Sequence, residues 1–250
     1  MRSHPSSRSA LEKINMNIAD PAGDLLCDEF EVIAAELSLE NAAVLELGCG
    51  KAEKTRKIAT FGKVASIVAM EVDEIQHGKN LQVTDLPNVT FCRGAAEAIP
   101  AADASFDIVM LFKSLHHVPT DKMDAAFSEI RRVLKPGGLA WISEPVYAGS
   151  FNDVIRLFHD EKEVREAAFA ATQRAVATGR FQLVRQRFFA VASHFSDFDQ
   201  FEKQVIRVTH MNHRLAPELN EAVRMKFEAH MTSSGAHFRN PLRVDILRRL

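Results

Sequence analysis

The sequence predicts an α/β protein, a doubly wound and mostly parallel sheet of seven strands carried on one domain over residues 1–250. Three observations lead there. Short apolar runs alternate with amphipathic stretches long enough for a helix. A glycine turn leads out of the first run, VLELGCGKAEKT over Val44–Thr55. The terminal Leu242, Val244 and Ile246 alternate with Arg243 and Asp245, as in a strand with one wet face. Strands joined by helix-sized crossovers run parallel and are covered on both faces.

The elements follow in order. Asp20-Pro21 reads as a cap and a helix-starting proline, and Leu26, Phe30, Ile33 and Leu37 recur at helical spacing. Ala42 to Leu47 is short and apolar, the composition of a strand buried on both faces. A helix is predicted from about Ala52, strand two over Val64 to Val72, strand three over Asn88 to Cys92 and strand four over Phe106 to Leu115. Met123, Phe127, Ile130 and Leu134 mark a helix stopped by Pro136-Gly137-Gly138, and Leu139 to Val146 is strand five. Ser150 to Thr178 is helical with a break near His159-Asp160, and FQLVRQRFF from Phe181 is strand six. A helical insertion, about 196–235, separates it from the last strand, with Phe198, Phe201, Val205 and Val208 on one stripe and Leu219, Val223 and Phe227 on another.

Composition narrows the function. With 46% hydrophobic and 26% charged residues the chain can bury a full core, and a net charge of −2 supplies no basic field to attract nucleic acid or anionic lipid. Neither partner is expected. No apolar run approaches the ~20 residues of a membrane span, and MRSHPSSRSA lacks the apolar core of a signal peptide. Cys27, Cys49 and Cys92 are widely spaced and odd in number, which suits a reducing compartment, so the expected location is cytoplasmic.

The glycine turn raises the question of its ligand. Glycines after a parallel strand let backbone amides approach a ligand at the carboxyl end of the sheet. A dinucleotide fingerprint would continue G-x-G-x-x-G, yet Glu53 stands in the third place. Glu46, at the tip of the strand, would repel a pyrophosphate and favour a cationic ligand. S-adenosylmethionine, with its ammonium and sulfonium, answers that description. Glu71 closes strand two at the ~20-residue spacing at which an acid meets ribose hydroxyls, with Asp73 as the register alternative.

GCGKAEKT, the acid in AMEVD, GAAEAIPAADASFDIVM (Gly94–Met110), KSLHHVP (Lys113–Pro119) and EIRRVLKPGG (Glu129–Gly138) together resemble the successive signatures of class I S-adenosylmethionine-dependent methyltransferases. The likeness spans roughly residues 40 to 146 and is nearest to the small-molecule, type-11 branch that includes quinone-biosynthesis C-methyltransferases. It implies a Rossmann-like sheet with an antiparallel last strand and S-adenosyl-L-methionine as cofactor. Residues 1–40 become an N-terminal helical cap, 41–146 the cofactor-binding core and 147–250 the substrate side.

The resemblance also implies roles. Glu46, Gly48, Cys49 and Gly50 would surround the methionine moiety, Glu71 the ribose, and Val72, Ala95, Ala96, Glu97 and Phe112 the adenosine. Ala95 stands where the family usually has an Asp for the adenine amino group, so Ala96 backbone, Glu97 or Gln76 must serve instead. His116 and His117 are the candidate catalytic bases, His117 preferred, since histidine titrates near neutrality. Lys113, Glu144, Phe151 and Arg156 are the candidate substrate contacts. His210 and His213 could share a metal, with His159, His194 or His230 as partners, but a pair alone is not a site, and no metal is expected. The expected activity is methyl transfer to a small molecule by a monomer or homodimer. The alternatives are a nicotinamide-dependent oxidoreductase and a non-catalytic binder of the same cofactor.

Overall fold

The computed structural model describes residues 16–20, 22–23, 25–207 and 214–250. The strands are β1 (Ala43–Leu47), β2 (Ser66–Glu71), β3 (Val89–Arg93), β4 (Phe106–Phe112), β5 (Leu134–Pro145), β6 (Phe181–Phe195), β7 (Met231–Thr232) and β8 (Gly235–Arg249). The helices are α1 (Glu29–Glu36), α2 (Glu53–Phe61), α3 (Glu74–Asn80), α4 (Met123–Val133), α5 (Ser150–Ile155), α6 (Lys162–Ala177), α7 (Phe198–Phe201) and α8 (Pro217–Glu228).

Sheet order is β3-β2-β1-β4-β5-β8-β6, with β7 paired to β8. β1 to β5 pair in parallel, and β8 runs antiparallel to both β5 and β6. The expected mostly parallel, doubly wound sheet with an antiparallel last strand is therefore present, with the short β7 as an eighth strand among the described residues. Strand order reverses between β1 and β4, and that switch point opens a crevice at their carboxyl ends.

Alternation along β4 builds the two layers. Val109 and Leu111 join Leu45, Phe127 and Ile130 on the face covered by α4. Ile108 and Met110 join Val44, Ile58 and Trp141 on the face covered by α2. A third core lies under the insertion, where Phe195, Phe198, Phe201, Phe227 and Phe238 cluster. α7 continues into a π-helical turn over Glu202–Ile206, and Pro217 opens α8. Val208 lies outside the described residues.

Several boundaries differ from the sequence reading: β4 ends at Phe112 rather than Leu115, and β5 starts at Leu134, running through Pro136-Gly137-Gly138, rather than at Leu139. The first helix starts at Asp28, whose carboxylate accepts from the Phe30 N–H (2.8 Å), rather than at Asp20. The chain before it is bound along β6, with Cys27 N–H donating to Ala190 O (3.0 Å) and Ala190 N–H to Leu25 O (2.9 Å), so it is extended. Pro21 lies outside the described residues. β6 and β8 each span 15 residues, longer than expected, because they pair with one another along Phe181–Phe195. The helical stretch after β5 breaks between Ile155 and Lys162, near His159-Asp160 as expected.

Phe227 is fully buried and meets the rings of Phe198, Phe201 and Phe238 at centroid distances of 5.5, 4.9 and 5.6 Å. Phe227→Ala is expected to cost about 3–5 kcal/mol, read by urea unfolding. A loss below about 1 kcal/mol would mean that this cluster is not a packed core.

Candidate functional site

A cavity of about 880 Å³ opens at the switch point, large enough for a nucleoside-sized ligand and a second small molecule. Its wall comes from the ends of β1, β2, β3 and β4, the Lys113–Pro119 loop and the π turn of the insertion.

The glycine turn after β1 forms one side. Gly48 has φ +75°, and a side chain there would meet Ser114 Cβ at 2.7 Å, so only glycine lets the ends of β1 and β4 approach. Ser114 Oγ donates to Leu47 O (2.7 Å) across that contact. Gly50 has φ +50°, and a Cβ added there would meet nothing within 4 Å, leaving its backbone open to the cavity. Both backbone groups of Gly50 are clamped: its N–H donates to Glu71 Oε2 (2.7 Å), and its carbonyl accepts from Asn80 Nδ2 (2.8 Å).

The amides of this turn are spoken for. The N–H groups of Gly48 and Cys49 both donate to Met70 O (2.9 Å each), and that of Gly50 goes to Glu71. A phosphate-binding turn needs such donors pointing at the anion. This turn has none of these three to give, which argues against a dinucleotide more directly than the charge of Glu46 does.

Glu46 does not line the cavity. It is buried between β1 and α2 and accepts from Thr55 Oγ1 (2.6 Å), and burial pushes its pKa up to about 7. In that position it ties the strand to the first turn of the helix. Cys49 is likewise buried behind the turn, where burial raises its thiol pKa.

Glu71 lies in the wall. Oε1 accepts from the N–H groups of Val72 (2.8 Å) and Asp73 (2.9 Å), and Oε2 from Gly50 only, which leaves Oε2 an acceptor position for a ligand hydroxyl. Asp73, also in the wall, spends its carboxylate capping α3 through the Gln76 N–H (2.9 Å). Val72, Gln76, Ala95, Ala96 and Glu97 line the same cavity, and Val72 is 60% exposed there. Phe112, Lys113 and His117 complete the opposite side.

Beside the cavity lies a buried ionic relay. His116 Nδ1 is 2.5 Å from Glu144 Oε2, and Glu144 Oε1 accepts from the Leu115 N–H (3.0 Å). His116 Nε2 lies 3.5 Å from Glu161, which also meets His159 Nε2 (3.0 Å) and Arg165 (2.6 Å). Burial opposes the imidazolium, but Glu144 and then Glu161 outweigh it and hold the His116 pKa at about 9. His116 and Arg165 in turn hold Glu161 far below the usual carboxylate range. Donor atoms of His116, His117 and Glu161 lie within 4.8 Å of one another, close enough to share a cation, but His116 and Glu161 are already matched in charge by each other and by their neighbours. His210 and His213 lie outside the described residues.

Several expected contacts fall elsewhere. Glu144 is buried under the loop, which it anchors through the Leu115 N–H, and is not among the residues of the cavity wall. Phe151 packs into the insertion core against Phe195 (6.0 Å) and Phe238 (5.5 Å). Arg156 pairs with Asp153 (3.4 Å) on the surface. Neither lines the cavity, because α5 turns its apolar face to the insertion. Asn80, Ser114, Glu161, Lys203 and Arg207 shape the site without having been singled out. Only the i,i+4 spacing of Gln76 and Asn80, whose side chains bond at 2.8 Å, was visible in advance.

Residues 44–138 match the model of a family described as a methyltransferase domain. The chain is 32% identical over 110 residues to an uncharacterized methyltransferase of Synechocystis, covering 42% of this chain and 50% of that one. It is 36% identical over 109 residues to a ubiquinone/menaquinone biosynthesis C-methyltransferase of Hahella chejuensis, covering 41% and 43%. It thus spans about half the length of the curated relatives it matches. Among solved structures, the YcgJ protein of Bacillus subtilis superposes with a TM-score of 0.56 at 21% identity over 88% of this chain and 97% of that one. The [4+2]-cyclase SpnF does so with 0.54 at 19% identity, over 88% and 78%. These two likenesses establish the fold. Among the described residues no helix is long and apolar enough to cross a membrane.

The relay makes stability pH-dependent. With a folded pKa near 9 and an ordinary value of 6.5, His116 contributes fully below pH 6.5, and its contribution is lost as pH rises through 9. The loss is at most about 3 kcal/mol. Glu144→Gln removes the chief partner and leaves Glu161, so the fall in stability by urea unfolding between pH 6.5 and 9 should become shallower in that variant. An unchanged slope would contradict the account.

Proposed function

We propose that the chain is a class I S-adenosylmethionine-dependent methyltransferase, a reading supported by the match of residues 44–138 to a methyltransferase-domain family and by the relatives above, and that it transfers a methyl group to a small molecule held beside the Lys113–Pro119 loop. The observation that carries this reading is the single cavity shared by the glycine turn, the carboxylate of Glu71 and the ring of His117.

The residues present fit the cofactor. Glu71 Oε2 has an acceptor position for a ribose hydroxyl, Val72 offers an exposed apolar face for the base, and Gly50 leaves backbone approach open. Ala95 gives the base no side-chain partner and is bridged to Ala98, so the polar contacts on that side fall to the Ala96 backbone, Glu97 and Gln76. S-adenosylmethionine supplies, when bound, an electrophilic methyl on a sulfonium.

The chain's own contribution is alignment and exclusion of water. Holding a nucleophile in line is worth on the order of 7 to 11 kcal/mol in intramolecular models. Phe112, Val118 and Pro119 give the acceptor side a largely apolar wall. His117 lies in that wall and is the candidate base for an acceptor that must lose a proton. His116 is not: its ring is buried, charged and held between two carboxylates, with its centroid 4.1 Å from that of His117, so it positions the neighbouring ring. A nicotinamide-dependent reaction is disfavoured by the engaged turn amides.

Incubation with S-adenosylmethionine and a metabolite extract, read by mass for S-adenosylhomocysteine and a methylated product, tests the reading. Absence of turnover with every fraction, despite tight cofactor binding, would favour a binding role. For a hydroxyl or protonated-amine acceptor, His117→Ala should lower kcat by about 100-fold or more with KM little changed. An unchanged kcat would remove His117 from the chemistry.

A further inference from the structure

The segment matched to the family begins at residue 44, yet one side chain of the preceding helix, α1, reaches the ends of its strands. Glu29, the first residue of that helix, is 1% exposed, whereas the acids beside it, Asp28 and Glu31, face solvent. One of its oxygens accepts from Ser143 Oγ, and the other lies 2.8 Å from the Lys54 ammonium. Both partners stand directly behind the cavity wall. Ser143 pairs with Phe112 across β5 and β4, and its carbonyl accepts from the Lys113 N–H (2.7 Å). The Lys54 ammonium lies 5.8 Å from the centroid of the Phe112 ring. One carboxylate therefore backs two consecutive wall residues, Phe112 and Lys113, without lining the cavity itself.

The corner behind which Glu29 stands is strained. Lys113 has φ +54°, in the left-handed region that residues with a Cβ rarely occupy, and such backbone persists where its surroundings over-determine it. The Ser143 carbonyl holds Lys113, and the bond from Ser114 Oγ to Leu47 O holds the next residue. His117 closes the short Leu115–His117 turn that follows. Helix α1 does not need Glu29 to stay in place. Ile33 and Leu37 pack into the core, Asp28 pairs with Lys57, and the Cys27 N–H donates to Ala190 O (3.0 Å). Replacing a buried ionic group by an apolar one of similar size costs little stability, so the use of a carboxylate here calls for a different reason.

We propose that Glu29 is a positioning residue for methyl transfer: by holding Ser143 and Lys54 it fixes the Phe112–Lys113 corner, and with it the turn that presents His117 to the acceptor. This rests on the methyltransferase reading above and adds a residue from outside the matched segment. The cofactor side is held separately, by the bonds among Gly50, Glu71 and Asn80. Loss of Glu29 is therefore felt in the alignment of the acceptor, to which rates are sensitive, and not in the affinity for the cofactor.

The test compares the unaltered chain with Glu29→Leu, which keeps the site filled, and with Ser143→Ala, a smaller change that serves if the first variant fails to fold. The maximal rate of S-adenosylhomocysteine release with the metabolite extract should fall about tenfold in each, while S-adenosylhomocysteine affinity by calorimetry changes by less than about twofold. Hydrogen exchange of the Lys113–Val118 amides should quicken by about tenfold. The double variant should be no slower than Glu29→Leu alone, because the two side chains act as one unit. Unchanged rate and exchange in both single variants overturns the proposal. So does a fall in rate matched by an equal fall in cofactor affinity, or losses that simply multiply in the double variant. An unaltered chain that binds S-adenosylhomocysteine yet methylates nothing in the extract overturns the methyltransferase reading, and this inference with it.

Discussion

The hydrogen bond from the Gly50 N–H to the Glu71 carboxylate is the contact on which the site depends. It joins the turn after the first strand to the tip of the second, and it does so from within the cavity wall. Asn80 holds the carbonyl of the same residue from the third helix. The turn is therefore a fixed surface, its amides consumed internally, with one carboxylate oxygen still able to accept. Such a surface is poorly suited to a diphosphate and well suited to a neutral ribose.

A second fixed group sets the other half of the cavity. Glu144 reaches from the end of β5 to the Leu115 N–H and the His116 ring, so the loop after β4 is tied to the neighbouring strand. The two adjacent histidines consequently do different work. One is a buried cation that completes an ionic network with Glu161 and Arg165, and the other meets the cavity. Buried ionic networks of this sort add little net stability over an apolar core, but breaking one partner is costly, so their value is in holding a loop in one conformation. The likeness to a cyclase at a TM-score of 0.54 is a reminder that this architecture hosts more than one chemistry.

Much of the sheet is legible in the sequence because its signal is local. The apolar runs of β1, β4 and β5 alternate correctly between the two faces, and the glycines at 48 and 50 mark the turn. Glu71 and Asp73 both stand at the end of strand two in the sequence, and only the structure separates them, with Asp73 capping α3. What is not legible depends on distant partners. The first helix is misread because residues 25–27 pair with the edge of β6, some 160 residues on. The burial of Glu46 is not legible either, because its partner Thr55 sits on the following helix. Ser114, Asn80 and Glu161 act across 67, 30 and 45 residues respectively, and nothing in their immediate neighbourhoods sets them apart.

The most direct measurement is a calorimetric comparison of S-adenosylhomocysteine and NAD binding to the unaltered chain and to Glu71→Ala. The account predicts that the unaltered chain takes up S-adenosylhomocysteine and not NAD, and that removing the carboxylate weakens binding by about tenfold or more. Uptake of NAD in preference, or an affinity for S-adenosylhomocysteine indifferent to Glu71, would contradict it.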